Sequence, residues 1–153
     1  MTHADSSASD SLAAQEQAAN LLSQTSHLEP ARCQAVFQAY LDSWRARDID
    51  ARAALMATDV SIADPVGAPV LQGIAAARQF WEGAQAGGAE FDPRLELFIP
   101  AGNEALVRFV MSIATPGQPV ITLTIHEVVT FDEALKITSI KAYWNESSMV
   151  IAG

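Results

Sequence analysis

The stretch Thr122-Leu123-Thr124-Ile125-His126-Glu127-Val128-Val129-Thr130-Phe131 decides the fold. Its side chains alternate, and a period of two marks a strand with two distinct faces. One face carries Leu123, Ile125, Glu127, Val129 and Phe131; the other carries Thr122, Thr124, His126, Val128 and Thr130. Glu127 is the only charge on its apolar face. A carboxylate there is costly unless it is paired or protonated. No basic residue shares that face of the strand, so two readings stand. Either an Arg or Lys from another strand meets Glu127, or the acid is kept neutral and donates a hydrogen bond. His126 points the opposite way, towards surface or interface.

The same alternation spreads to both sides. Arg94 to Ile99 read as a strand, and Val107, Phe109, Met111 and Ile113 alternate with Arg108, Val110 and Ser112. Thr115-Pro116-Gly117-Gln118 is a Pro-Gly turn of type II character. Val120 to Phe131 is expected to be the longest strand, Asp132 to Leu135 a turn, and Lys136 to Val150 the last strand. In that strand Thr138, Ile140, Ala142 and Trp144 share a face, with the Trp144 indole N–H free to orient a carboxylate.

Earlier in the chain the period is helical. Cys33, Val36, Phe37, Tyr40, Leu41 and Trp44 form one stripe of a helix that begins near Glu29-Pro30. Tyr40 lies on that stripe, and a buried Tyr needs a partner for its hydroxyl. Asp48-Ile49-Asp50 caps a short helix from Ala51 to Ala57, and Ile74 to Ala84 form a third, ended by Gly87-Gly88. Helices followed by hairpin-linked strands give an α+β domain, helices on one face of a curved, mostly antiparallel sheet.

Between the second and third helices lies Ile62-Ala63-Asp64-Pro65-Val66-Gly67. Pro65 ends the strand and holds Asp64 extended at its mouth. Such an Asp caps a turn, or, among Val, Ile and Leu, serves as a base in an apolar pocket.

The bulk numbers set limits. A chain of 153 residues, half of them hydrophobic and 18% charged, suits one globular domain. A net charge of -9 disfavours a nucleic-acid partner. No apolar run is long enough for a membrane span, and the N-terminus lacks a signal-peptide pattern. The lone Cys33 fits a reducing, cytoplasmic setting. Residues 1–29, rich in Ser, Ala and Gln, read as an N-terminal extension, mobile or partly helical; residues 30–153 read as the domain proper.

Three segments together resemble the bacterial ketosteroid isomerases (steroid Δ-isomerases) of the nuclear transport factor 2-like superfamily. They are Tyr40 on its helix, Asp64-Pro65-Val66-Gly67, and Ile125 to Glu133 with Ala142 to Glu146. The steps are also those of the family: 24 residues from Tyr40 to Asp64 and 63 more to Glu127. The resemblance implies a cone-shaped domain of three N-terminal helices on a highly curved sheet. It implies that Asp64 is the general base, with Tyr40 and protonated Glu127 as donors to a dienolate oxygen. Δ5-3-ketosteroids would be converted to Δ4 isomers against a wall of Phe80, Phe109, Met111, Ala142 and Trp144, with no cofactor or metal. A homodimer through the outer sheet face is expected from Val110, Val128 and Tyr143.

The chain also departs from the family. Glu127 stands where the family carries Asp, and Met56 and Trp81 stand at positions matching two tyrosines that support the catalytic phenol. The usual turn Gly is missing near Ala134-Leu135. Alternatives on the same fold are a non-catalytic small-molecule-binding dimer and a polyketide-cyclase-like enzyme. A dehydratase would want a His inside the pocket, yet His3 and His27 fall in the extension and His126 faces out. An epoxide hydrolase would want an inward Arg, and Arg108 has the wrong parity.

Overall fold

The computed structural model describes residues 4–152. Four helices and seven strands follow in the order α1 (Ala4–Ser23), α2 (Pro30–Arg45), α3 (Ile49–Ala54), β1 (Met56–Ala63), β2 (Leu71–Gln72), α4 (Ile74–Gln85), β3 (Glu90–Ala101), β4 (Glu104–Ala114), β5 (Ile121–Phe131), β6 (Ile137–Tyr143) and β7 (Met149–Ile151). The strands form one sheet in the order β2-β1-β6-β5-β4-β3, with β7 also paired to β5. All pairings are antiparallel except β1 with β6. The fold is therefore the α+β cone expected, with α2 packed on β3 and α4 on β1.

Local chemistry places these elements. Pro30 opens α2, where its missing N–H costs nothing. Phe37 is fully buried and its ring meets Phe98 and Phe109 at 6.1 and 6.0 Å, joining α2 to the sheet. Burying a side chain of that size is worth about 1.5–3 kcal/mol. The Asp48 carboxylate accepts the Ala51 N–H at 3.0 Å and caps α3. Gly73 starts α4 at φ 84°, a value that side-chain-bearing residues rarely adopt, while its N–H bonds the Val60 carbonyl at 2.8 Å.

Four details differ from the expectations. The short helix ends at Ala54, not Ala57, because Met56 pairs with Ile137 as the first residue of β1. The longest strand is β3, at 12 residues, against 11 for β5. The last segment is two strands, interrupted by a turn of 3-10 helix at Glu146–Ser148 that Asn145 caps. Ile137 rather than Thr138 faces the core. Thr130 pairs with Ser139 but Phe131 with Ile137, so Thr138 is a bulge, and one extra residue reverses the side-chain parity before it.

The extension is helical as α1, and its described side chains are exposed. His27 follows it and accepts the Gly102 N–H at its Nδ1, 3.1 Å away. His3 lies outside the described residues. Among the described residues no helix is long and apolar enough to cross a membrane.

Candidate active site

Three neighbouring strands bring the early aspartate to the late glutamate. Glu127 on β5 pairs in register with Val107 on β4 and Ala142 on β6. Ala63, the last residue of β1, pairs with Lys141. The chain beyond β1 is then laid on β6 by the Val66 N–H, which bonds the Ala142 carbonyl at 2.8 Å. Asp64 lies between these two ties, and its bond to Pro65 is cis. Trp144 Nε1 donates to Asp64 Oδ1 at 2.7 Å, the role expected for that indole. Burial raises the Asp64 pKa, and the indole bond opposes the rise by favouring the ionised form.

Glu127 is 2% exposed. Among the described residues no cation pairs with it, and its Oε1 has no hydrogen-bond partner. Arg108, the nearest arginine along β4, faces outward and pairs with Glu96 at 3.3 Å. A basic partner for Glu127 is thereby ruled out among these residues. Burial, and then the negative charge of Asp64, hold the Glu127 carboxyl well above the usual carboxylate range. Both effects favour the protonated form of the acid.

Tyr40 reaches the same hollow from α2 and is 5% exposed. Its phenol is held well above its ordinary pKa by burial, then by Glu127 and Asp64. A hydrogen bond from the Trp44 indole and the charge of Arg52 pull it the other way. Tyr40, Asp64 and Glu127 line one mostly apolar cavity of about 180 Å³ that opens to solvent.

Phe80, Phe109, Met111 and Trp144 stand in the cavity wall. Ala142 does not. It is fully buried, and its part is the backbone link between Glu127 and Val66. The wall also contains Trp44, Phe91, Leu123 and Ile125, which the sequence reading did not assign to it. Leu123 and Ile125 share the parity of Glu127 and Trp44 is one turn beyond Tyr40, so the signal was present for three of the four. Phe91 precedes the stretch read as a strand and carried no such signal.

Arg52 was missed altogether. It is fully buried on α3, with its guanidinium 3.7 Å from the Trp44 ring centroid and 5.2 Å from that of Trp81. Its Nε and Nη2 donate to the Ser43 hydroxyl and carbonyl, each at 3.1 Å, and Nη2 also donates to Gln85 Oε1. Burial lowers its pKa to about 10, so it remains a cation at neutral pH.

The SnoaL-like domain family matches residues 37–140. A steroid Delta-isomerase of Nocardioides simplex is 36% identical over 121 residues, which cover 79% of this chain and 96% of that protein. Among solved structures, a Delta 5-3-ketosteroid isomerase from Mycobacterium sp. superposes with a TM-score of 0.72 at 24% identity, covering 82% of this chain and all of that one. An epoxide hydrolase/cyclase-like enzyme of pyran ring formation in the polyether salinomycin superposes with a TM-score of 0.70 at 20% identity, covering 80% and 97%. These last two show the shared fold. The sequence match, the fold and the segments around Tyr40, Asp64 and Glu127 lead to one conclusion: this chain belongs to the ketosteroid isomerase family, within the SnoaL-like, nuclear transport factor 2-like superfamily.

Proposed function

We propose that the protein is a steroid Δ-isomerase that moves a C=C bond from Δ5 to Δ4 in 3-ketosteroids. The observation that carries this reading is the cavity itself: a carboxylate, a phenol and a second carboxyl whose pKa burial raises share one apolar hollow. Asp64 takes the proton from C4, the electron pair moves into the ring to give a dienolate, and Asp64 returns the proton at C6. Tyr40 and Glu127 donate to the dienolate oxygen. Removing water from such donors strengthens them where charge develops. The raised Asp64 pKa also improves the carboxylate as a base.

Glu127 is a methylene longer than the family's usual aspartate. Its complete burial on a strand paired on both sides limits where its hydroxyl can reach. The test is the ultraviolet absorbance of the conjugated enone formed from 5-androstene-3,17-dione. Conversion that is lost in Tyr40→Phe, with steroid still bound, is the expected result. Folded protein that binds the steroid without converting it would favour the binding-module reading.

The active assembly in this proposal is a cytoplasmic homodimer joined through the outer sheet face, where Tyr143 is 48% exposed beside Val110 and Val128. Sedimentation should give twice 16.3 kDa; a species at 16.3 kDa under micromolar conditions contradicts it.

A further inference from the structure

A buried arginine without a carboxylate is an expensive thing to keep. Among the described residues Arg52 has no ion-pair partner, and its Nη1 has no hydrogen-bond partner. An apolar side chain of similar size would avoid the desolvation cost. The neighbourhood shows what the charge acts on. One flank of the guanidinium lies over the ring of Trp44, which stands one helical turn beyond Tyr40 in the wall of the same cavity. Another set of bonds runs from Arg52 Nε to the Ser43 hydroxyl, and from that hydroxyl to the backbone carbonyl of Tyr40 at 2.5 Å. Arg52 therefore touches the Tyr40 turn twice, once through a ring and once through a hydroxyl.

We infer that Arg52 is a positioning residue for the oxyanion end of the cavity: through Ser43 and the Trp44 ring it locks the helical turn that carries Tyr40, and it sets a positive charge behind the phenol. A positive charge close behind a phenol favours negative charge on its oxygen, so the phenol gives up proton density more readily to an acceptor in the cavity. Arg52 thus does from behind what a chain of hydroxyls would do, in a protein where Met56 and Trp81 leave none. The inference rests on the isomerase reading for its effect on turnover, but its electrostatic part can be measured without turnover.

The experiment uses the full chain with Asp64→Asn, which leaves the base neutral as it is once it has taken a proton. The probe is 4-nitrophenol, whose phenol and phenolate forms differ in colour. Added Arg52→Met should raise the pKa of the bound probe by about one unit, a tenfold loss of phenolate preference. Arg52→Lys should recover part of it. With Asp64 restored, Arg52→Met should lower kcat about tenfold, the same one-unit scale, with KM nearly unchanged. A folded Arg52→Met protein with unaltered probe ionisation and kcat overturns the inference. If Arg52→Met does not fold, an Arg52→Gln protein with unaltered probe ionisation overturns it instead. An Arg52-dependent probe shift in a protein that isomerises nothing would refute the isomerase reading and leave this inference standing.

Discussion

Glu127 and Arg52 are both fully buried, both ionisable and both carry a polar atom without a partner, yet the fold treats them in opposite ways. Glu127 is surrounded by apolar side chains and the charge of Asp64, and both favour its protonated, uncharged form. Arg52 cannot become uncharged in that way, since burial brings it down only to about 10. Its charge is spread over two tryptophan faces and three hydrogen bonds instead. The difference teaches that a buried charge is tolerable either by being given up or by being shared with rings and carbonyls. Only the first kind leaves a group able to donate a proton into a cavity.

The largest test of this contrast removes the charge that helps keep Glu127 neutral. Asp64→Asn should lower isomerisation about 10²- to 10⁴-fold, the range for loss of a general base, measured as kcat on 5-androstene-3,17-dione. Next in size, Glu127→Ala should cost about a hundredfold in kcat, as expected for one lost oxyanion donor, while steroid affinity persists. A variant that binds no steroid would show instead that Glu127 holds the cavity open.

Smaller effects concern pH. The proposed mechanism needs ionised Asp64 and protonated Glu127, so kcat/KM should rise with pH through the raised Asp64 pKa and fall through the raised Glu127 pKa. Glu127→Gln should abolish the alkaline fall, because an amide does not titrate. The smallest effect is on stability. Folded Glu127 holds its proton above the pH at which the unfolded carboxyl loses it. Its contribution is therefore fully present at acid pH and declines as pH rises towards the folded pKa, by up to about 1.4 kcal/mol per unit. Urea melts across that range should show this slope in the parent and not in Glu127→Gln. Arg52→Met should leave the slope unchanged, since the folded Arg52 pKa is about 10 and its linkage lies above that.

The contrast also explains what could be read beforehand. Glu127 announced itself because a strand has a strict period of two, and one charge on an apolar face stands out. Tyr40 stood on a helical stripe for the same kind of reason, and Pro65 marked Asp64. Arg52 gave no such sign. On a helix of six residues there is no stripe to violate, and its partners Trp44, Trp81 and Gln85 come from two other helices. The reversal at Thr138 was hidden for a related reason: a bulge is defined by the partner strand, and β6 alone carries no trace of the slip. Alternation predicts parity only as long as register is unbroken.

The backbone bond from Val66 to Ala142 has a mechanical consequence. It fastens the aspartate loop to the strand that flanks the glutamate, so those two acids ride on a common frame. The phenol rides on a helix that packs over the frame. Rocking of helix against sheet would therefore change the reach of one donor and preserve the spacing between the two carboxyls.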